Sequence, residues 1–139
     1  MTADLSDTLS DADYATLARF RHFLRAFAAF SEEAAHDAGV APAQYQLLVM
    51  IRGWGGDGSP SITDLAERLV LRHHSVVELV QRARTAGLVA TAADPDDGRR
   101  QLVHLTPTGA QKLAELARLH RDELRRFRED LAAVSEELR

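Results

Sequence analysis

The sequence contains no cysteine among its 139 residues. This absence excludes a disulfide scaffold, a thiolate zinc site and a thiol-based redox switch. No apolar run approaches the ~18 residues that a membrane-spanning helix requires. The first ten residues, MTADLSDTLS, lack the basic segment and the apolar run of a secretory signal. We therefore expect a cytoplasmic protein with no membrane partner.

Motifs of catalysis and of cofactor binding are also missing. The chain has no phosphate loop ending in Lys-Ser/Thr, no H-E-x-x-H and no nucleophile with an evident base. The stretch GWGGDG, residues 53–58, resembles a phosphate cradle only in its glycine content. His74 and Glu78 have the i,i+4 spacing of a chelating pair, but zinc needs three or four ligands. We expect no enzyme, no cofactor and no metal site.

Positive charge is scarce overall and unevenly distributed. The formal net charge is -4, and 45% of the residues are hydrophobic, as in one globular domain. The segment from Arg68 to His104 contains six arginines, four acidic residues and three histidines. The local charge of +2 shows that the positive charge is concentrated in this segment, and nucleic-acid binding by this acidic chain would require such local clustering.

Hydrophobic periodicity predicts a mainly α-helical chain with one β-hairpin. A polar lead-in, 1–10, precedes a long helix from Asp11 to His36 and a buried helix that starts at Pro42. Two short helices follow: ITDLAERLV, with Ser61 or Thr63 as its N-cap, and a helix from the His73-His74 pair that ends at Gly87.

A hairpin and a final helix complete the predicted order. Strands at 88–91 and 102–105 flank the charged tip DPDDGRR, and the last helix begins with Thr106 as N-cap and Pro107 in its first turn. Its apolar seam consists of Leu113, Leu116, His120, Leu124, Phe127, Leu131, Val134 and Leu138. We divide the chain into the lead-in 1–10, the helices 11–52, a segment 53–106 with the two short helices and the hairpin, and the last helix 107–139.

Two short helices joined by a tight turn and followed by a hairpin make a winged helix-turn-helix. The helix pair requires apolar packing, which we expect between Leu65, Ala66 and Leu69 on the first helix and Leu71, Val76 and Leu79 on the second. The second helix then fits the DNA major groove. Its outward face is predicted to carry His73, His74, Val77, Glu78, Gln81 and Arg82.

The segment 64–109 resembles the DNA-binding region of the MarR family of bacterial regulators. The resemblance rests on Leu65-Ala66, Gly87-Leu88-Val89, Asp94-x-x-Asp97-x-Arg99 and Val103-x-Leu105-Thr106-x-x-Gly109, and it extends roughly over 11–131. It implies a homodimer whose N- and C-terminal helices interlock. It also implies a transcriptional repressor, usually released by a small molecule that binds between the dimer and DNA-binding parts.

The sequence departs from the family pattern at two places. Val70 occupies the turn position that is often glycine. His73-His74 and Glu78 stand where small hydroxyl residues and an arginine are more usual. These differences bear on the operator sequence more than on the fold.

We predict DNA contacts from the second helix and from the hairpin tip. The residues are Arg72, His73, His74, Ser75, Val77, Arg82, Arg99 and Arg100. Arg72 and Ser75 would bind phosphates near the helix N-terminus, and the two histidines would bind base edges or phosphates. Val77 would contact a thymine methyl, and the tip arginines would enter the minor groove.

Acidic residues of the same region are assigned supporting roles. Asp94 and Asp97 are expected to face back, brace the tip and orient its arginines, with Gly98 supplying a positive φ. The competing interpretation is a solvated turn with incidental charge. Glu78 is expected to pair with Arg82 at i,i+4 rather than read a cytosine.

Two further partners and one alternative function remain open. The apolar seam would be covered by a second copy, whose recognition helix would lie ~34 Å away on an inverted-repeat operator. A small-molecule effector is possible, with His22, Arg25, Tyr45 and Trp54 as unassigned candidates. The alternative is a winged-helix adaptor that binds only proteins.

Overall fold

The computed structural model describes residues 8–137 and, for Glu123, only the backbone. Its elements in chain order are α1 (Asp11–Asp37), α2 (Pro42–Arg52), α3 (Ile62–Leu69), α4 (His73–Thr85), β1 (Val89–Ala93), β2 (Gln101–Leu105) and α5 (Pro107–Glu137). The predicted order and the winged helix-turn-helix fold are confirmed. Only residues 8–10 of the predicted lead-in are described, and Leu138 of the seam lies outside the described residues.

The chain divides into two compact units. The helical unit comprises the described residues of 1–31 and 119–139, and the winged unit comprises Glu32–Arg118. The long helices α1 and α5 each contribute residues to both units. No helix of the described range is long and apolar enough to cross a bilayer.

The winged unit has one hydrophobic core centred on α2. Leu47 and Leu48 of α2 are fully buried, together with Leu65 of α3 and Val76 of α4. Burial of each such side chain contributes about 1.5–3 kcal/mol. The predicted packing of α3 on α4 is confirmed except at Leu71, which is 45% exposed. Leu71 belongs to the turn, because its amide donates to the Ala66 carbonyl and closes the end of α3.

Both ends of α3 are fixed by specific residues. Ser61 is the N-cap: its hydroxyl accepts from the Asp64 amide at 3.1 Å, and its own amide donates to the Asp64 carboxylate at 2.9 Å. This reciprocal pair satisfies two amides that lack helical partners. The helix ends at Val70, whose φ of 55° and ψ of 47° are left-handed. A β-branched side chain is strained there.

The wing consists of β1, β2 and the connecting loop. The strands pair antiparallel from Val89 opposite Leu105 to Ala93 opposite Gln101. Compared with the predicted limits, β1 begins one residue later and ends two residues later, and β2 begins one residue earlier. The edge of β2 also meets the segment before α3, where the Val103 amide donates to the Pro60 carbonyl at 2.9 Å. The wing is therefore attached to the winged unit through the backbone as well as through side chains.

The helical unit is held by an aromatic cluster and a polar clasp. The rings of Phe23 and Phe127 stack with centroids 4.9 Å apart. His120 is only 3% exposed, lies 3.1 Å from the Ser31 hydroxyl and meets Phe30 edge-on. The clasp consists of Thr16, whose hydroxyl donates to the Glu137 carboxylate at 2.8 Å, and Arg19, which forms an ion pair with the same carboxylate.

The apolar seam of α5 is only partly covered within one chain. Leu113, Leu116, His120 and Val134 are buried and Phe127 is half-buried. Leu124 and Leu131, by contrast, are 54% and 44% exposed. The second half of the seam therefore presents leucines that the described part of the chain leaves exposed.

Candidate nucleic-acid interface

Helix α4 separates an apolar face from a polar one. Its buried residues are Val76, Leu79, Val80 and Ala83, which follow the helical period. Of the predicted outward face, His74, Glu78, Gln81 and Arg82 are exposed on the opposite side, and Val77 is half-buried at its edge. His73 shares the side of Val76 and Val80, and it is exposed as the first residue of the helix. Packing of the apolar face on α2 and α3 therefore fixes which side chains a bound duplex would meet.

The N-terminus of α4 has the features of an anion site. Arg72 is the N-cap residue, with extended backbone, and no side-chain hydrogen bond caps the helix. The first turn contains no acidic residue. Unsatisfied amides and the helix dipole favour a phosphate at such an end. Exposed Arg72 and half-buried Ser75 lie at this terminus, where we predicted phosphate contacts.

The expected pairing of Glu78 with Arg82 is wrong. Within the described part of the chain, no ion pair joins these two side chains, although both are exposed on one face of α4. An exposed i,i+4 pair contributes only about 0.3–0.5 kcal/mol once the entropy of fixing both side chains is included, so its absence costs the fold little. The Arg82 guanidinium is therefore not neutralised by Glu78.

Two aspartates form the turn at the wing tip. The Asp94 carboxylate accepts from the Asp96 amide at 2.9 Å, and the Asp97 carboxylate accepts from the Arg99 amide at 3.1 Å. Backbone bonds between positions 94 and 100 close the loop. The predicted positive φ at Gly98 is wrong, since the left-handed glycines of the described chain are Gly39, Gly55, Gly58 and Gly87. The aspartate side chains complete the turn without that conformation.

The two arginines of the tip have different surroundings. The Arg100 guanidinium lies 3.4 Å from the Asp64 carboxylate and 4.0 Å from that of Asp94. Arg99 is exposed, and no ion pair of the described residues includes it. Asp64 lies 36 positions from Arg100 in the chain, and no pattern in the sequence predicts that the two side chains meet.

The four effector candidates do not form one site within either unit. His22 lines a cleft of about 300 Å³ in the helical unit, together with Phe23, Phe27, Phe127 and Arg126. Arg25, also in that unit, is exposed and does not line the cleft. Tyr45 is buried in the winged unit, and burial raises the pKa of its phenol.

Trp54, the remaining candidate, is engaged by a residue that the sequence did not single out. The Arg68 guanidinium lies 4.8 Å from the centre of the indole ring and donates to the Trp54 carbonyl at 3.4 Å. The ring is half-buried in the loop between α2 and α3.

As for metals, the part of the chain that the structure describes has no group of three or more His, Cys, Asp or Glu side chains placed to hold an ion.

Comparisons with known proteins identify the region that carries this surface. Residues 38–100 match the model of the MarR family. The chain is 31% identical over 93 residues to a putative transcriptional regulatory protein for the hcr operon of Thauera aromatica. The match covers 67% of this chain and 54% of the relative, so the chain spans about half the length of that protein.

Solved structures share the fold. A mutant of E. coli MarR complexed with operator DNA aligns with a TM-score of 0.72 and 20% identity, covering 98% of this chain and 96% of that one. BpsR of Bordetella bronchiseptica aligns with a TM-score of 0.67 and 20% identity. Its structure concerns the regulation of BpsR DNA binding by 6-hydroxynicotinic acid. That alignment covers 99% of this chain and 95% of BpsR.

Proposed function

Because residues 38–100 match the model of the MarR family, we propose that this protein is a cytoplasmic, homodimeric transcriptional regulator, not an enzyme, that binds double-stranded DNA. We propose further that it is a repressor responsive to a small molecule. The observation that carries this proposal is the outward face of α4, which is polar, cationic at its N-terminus and flanked by a wing with an exposed arginine. A helix of this kind fits the major groove.

The contacts that we propose follow from the exposed side chains. Phosphates would bind at the N-terminus of α4, with Arg72 and Ser75, and along the helix at Arg82. His73, His74 and Val77 face the groove and would read base edges, Val77 through a thymine methyl group. Arg99 would enter the adjacent minor groove, and Arg100 lies beside it at the base of the wing tip.

Dimerisation is proposed from the uncovered apolar surface of the helical unit. The exposed large hydrophobic side chains of α1 and α5 in that unit are Tyr14, Leu17, Leu24, Leu119, Leu124 and Leu131. A second copy would bury these residues, and each leucine fully buried would contribute about 1.5–3 kcal/mol. A twofold dimer presents two recognition helices to an inverted-repeat operator, one turn of DNA apart.

The proposed effector is a small molecule. Its support is the fold shared with BpsR, whose structure is described in terms of regulation by 6-hydroxynicotinic acid, and the aromatic cleft of the helical unit. That cleft is lined by Phe23, Phe27 and Phe127 and by three charged side chains: Arg126, Asp130 and Arg19, which is paired with Glu137. The aromatic side chains suit a small aromatic ligand.

Selection of bound sequences from random duplexes, followed by titration at several salt concentrations, tests the proposal. Binding should weaken steeply with salt, since each phosphate contact contributes about 0.9 to the slope of log K against log salt. The mass in solution, by light scattering, should be that of two chains. A monomer that binds no duplex at low salt, or one that binds only other proteins, would contradict it.

A further inference from the structure

The base of the wing tip is joined to the start of α3 by a cluster of shared contacts. One carboxylate oxygen of Asp64, Oδ2, accepts from the Ser61 amide at 2.9 Å and from the Arg100 guanidinium at 3.4 Å. Ser61 is itself buried and forms a β-bridge with Leu102, two residues after Arg100. The N-cap of α3 and the base of the wing therefore meet at one atom.

Arg100 also holds its own loop. Its carbonyl accepts from the Asp94 amide and its amide donates to the Asp97 carbonyl, both at 2.9 Å. Its guanidinium lies between the carboxylates of Asp64 and Asp94. With two anionic neighbours, this cation is locally neutralised and contributes less attraction to a phosphate than an unpaired arginine does.

We propose that Arg100 is a positioning residue, which holds the wing on the N-terminus of α3 through Asp64 and Asp94. Arg99 is then the arginine of each wing that enters the minor groove. This inference rests on the proposed DNA-binding function and revises the role that the sequence suggested for Arg100. Adjacent arginines thus have separate tasks: one fixes the loop, and the other is directed outward by the Asp97–Arg99 turn.

Three variants test whether Arg100 holds the wing in place or contacts DNA. Arg100→Gln removes the cation, and Asp64→Asn removes its partner while keeping an oxygen acceptor for the Ser61 amide. The double variant tests whether the two residues act through one interaction. Asp96→Asn is the matched control, because Asp96 is an exposed acid of the same wing whose side chain forms no bond in the described part of the chain.

Hydrogen exchange of the DNA-free protein gives the first measurement. Arg100→Gln and Asp64→Asn should each accelerate exchange of the Asp94 and Arg100 amides about twofold to fivefold, the range expected for an exposed ion pair. The double variant should exchange no faster than the singles, and Asp96→Asn should match the wild type. Unchanged exchange in Arg100→Gln would overturn the bracing role, whatever the protein binds.

Salt dependence of DNA binding gives the second measurement. Arg100→Gln should weaken binding severalfold with the salt slope unchanged, whereas Arg99→Ala should lower the slope by about one for each wing. Equal loss of slope in both variants, or tighter binding by Asp64→Asn than by Asp96→Asn, would make Arg100 a DNA contact. If the wild type binds no duplex, the proposed function fails, and exchange alone still decides the bracing role.

Discussion

The carbonyl oxygen of Leu88 occupies the space that a side chain on Gly109 would need. A Cβ built on Gly109 would overlap that oxygen, because the first turn of α5 lies directly against the entry to β1. Thr106 fixes this approach: its hydroxyl donates to the Gly87 carbonyl at 2.6 Å and accepts from the Gly109 amide at 3.0 Å. Two separate parts of the MarR-like pattern, Gly87-Leu88 and Thr106-x-x-Gly109, are thus one contact.

Replacement of Gly109 by alanine should therefore destabilise the protein. Alanine gains about 1 kcal/mol of helix propensity over glycine, but the Leu88 backbone cannot yield as a side chain would. We expect a net loss of about 1–3 kcal/mol, as for other overpacked sites. Urea denaturation followed by circular dichroism measures the change. Gly98→Ala is the control, since a Cβ at Gly98 meets nothing within 4 Å; equal stability of both variants would contradict the argument.

Periodicity and turn residues predicted most of the fold. The Thr106-Pro107 start of α5 is visible in the sequence because capping and N1 preferences are local. Leu71 was misplaced because an apolar residue in a two-helix turn has the same spacing as a core residue. The contact of Arg100 with Asp64 could not be predicted, since it depends on how β2 lies against the segment before α3. Long-range pairing of exposed charges leaves no periodic pattern.

Val70 stores strain in the helix-turn-helix turn. Its left-handed backbone costs roughly 1–2 kcal/mol for a residue with a side chain, and its side chain is 88% exposed, so little burial offsets that cost. Val70→Gly should raise the free energy of unfolding by up to about 1 kcal/mol, after allowance for glycine's flexibility in the unfolded chain. Val70→Ala, which keeps the Cβ, should gain less. If urea denaturation shows a lower free energy of unfolding for Val70→Gly, the valine side chain makes stabilising contacts that outweigh the backbone strain.

The clasp between α1 and α5 should respond to acid. The hydrogen bond from Thr16, followed by that from Arg19, lowers the pKa of the Glu137 carboxyl below its ordinary value. A carboxyl with a lowered pKa stabilises the fold above its unfolded pKa, and that contribution is lost as the pH falls through the folded pKa. Glu137→Gln should therefore lower Tm slightly at neutral pH and converge with wild type in acid. Glu136→Gln, a neighbouring exposed carboxyl, is the control; a constant difference at every pH would contradict this.

Arg99→Ala should weaken DNA binding without changing stability. The side chain is exposed and has no ion pair in the described chain, so its removal leaves no buried charge behind. Loss of one minor-groove contact in each wing should cost roughly 1–3 kcal/mol of binding. Fluorescence anisotropy with a selected duplex measures the affinity, and Arg84→Ala removes an equal charge from an exposed site outside the proposed surface. Equal affinities of the two variants would exclude a specific role for Arg99.

His73 and His74 should govern which operator is bound. Both are exposed in the first turn of α4, so alanine there should change stability little. An imidazole that reads base edges contributes differently to each base, whereas one that binds phosphate weakens all sequences alike. Repeating the duplex selection with His73→Ala and His74→Ala should therefore shift the preferred bases. His104→Ala, an exposed histidine on β2, should retain the wild-type preference. If both variants bind all duplex sequences more weakly to the same extent, the two histidines bind phosphates. If the variants lose stability but keep the wild-type base preference, the two histidines have a structural role.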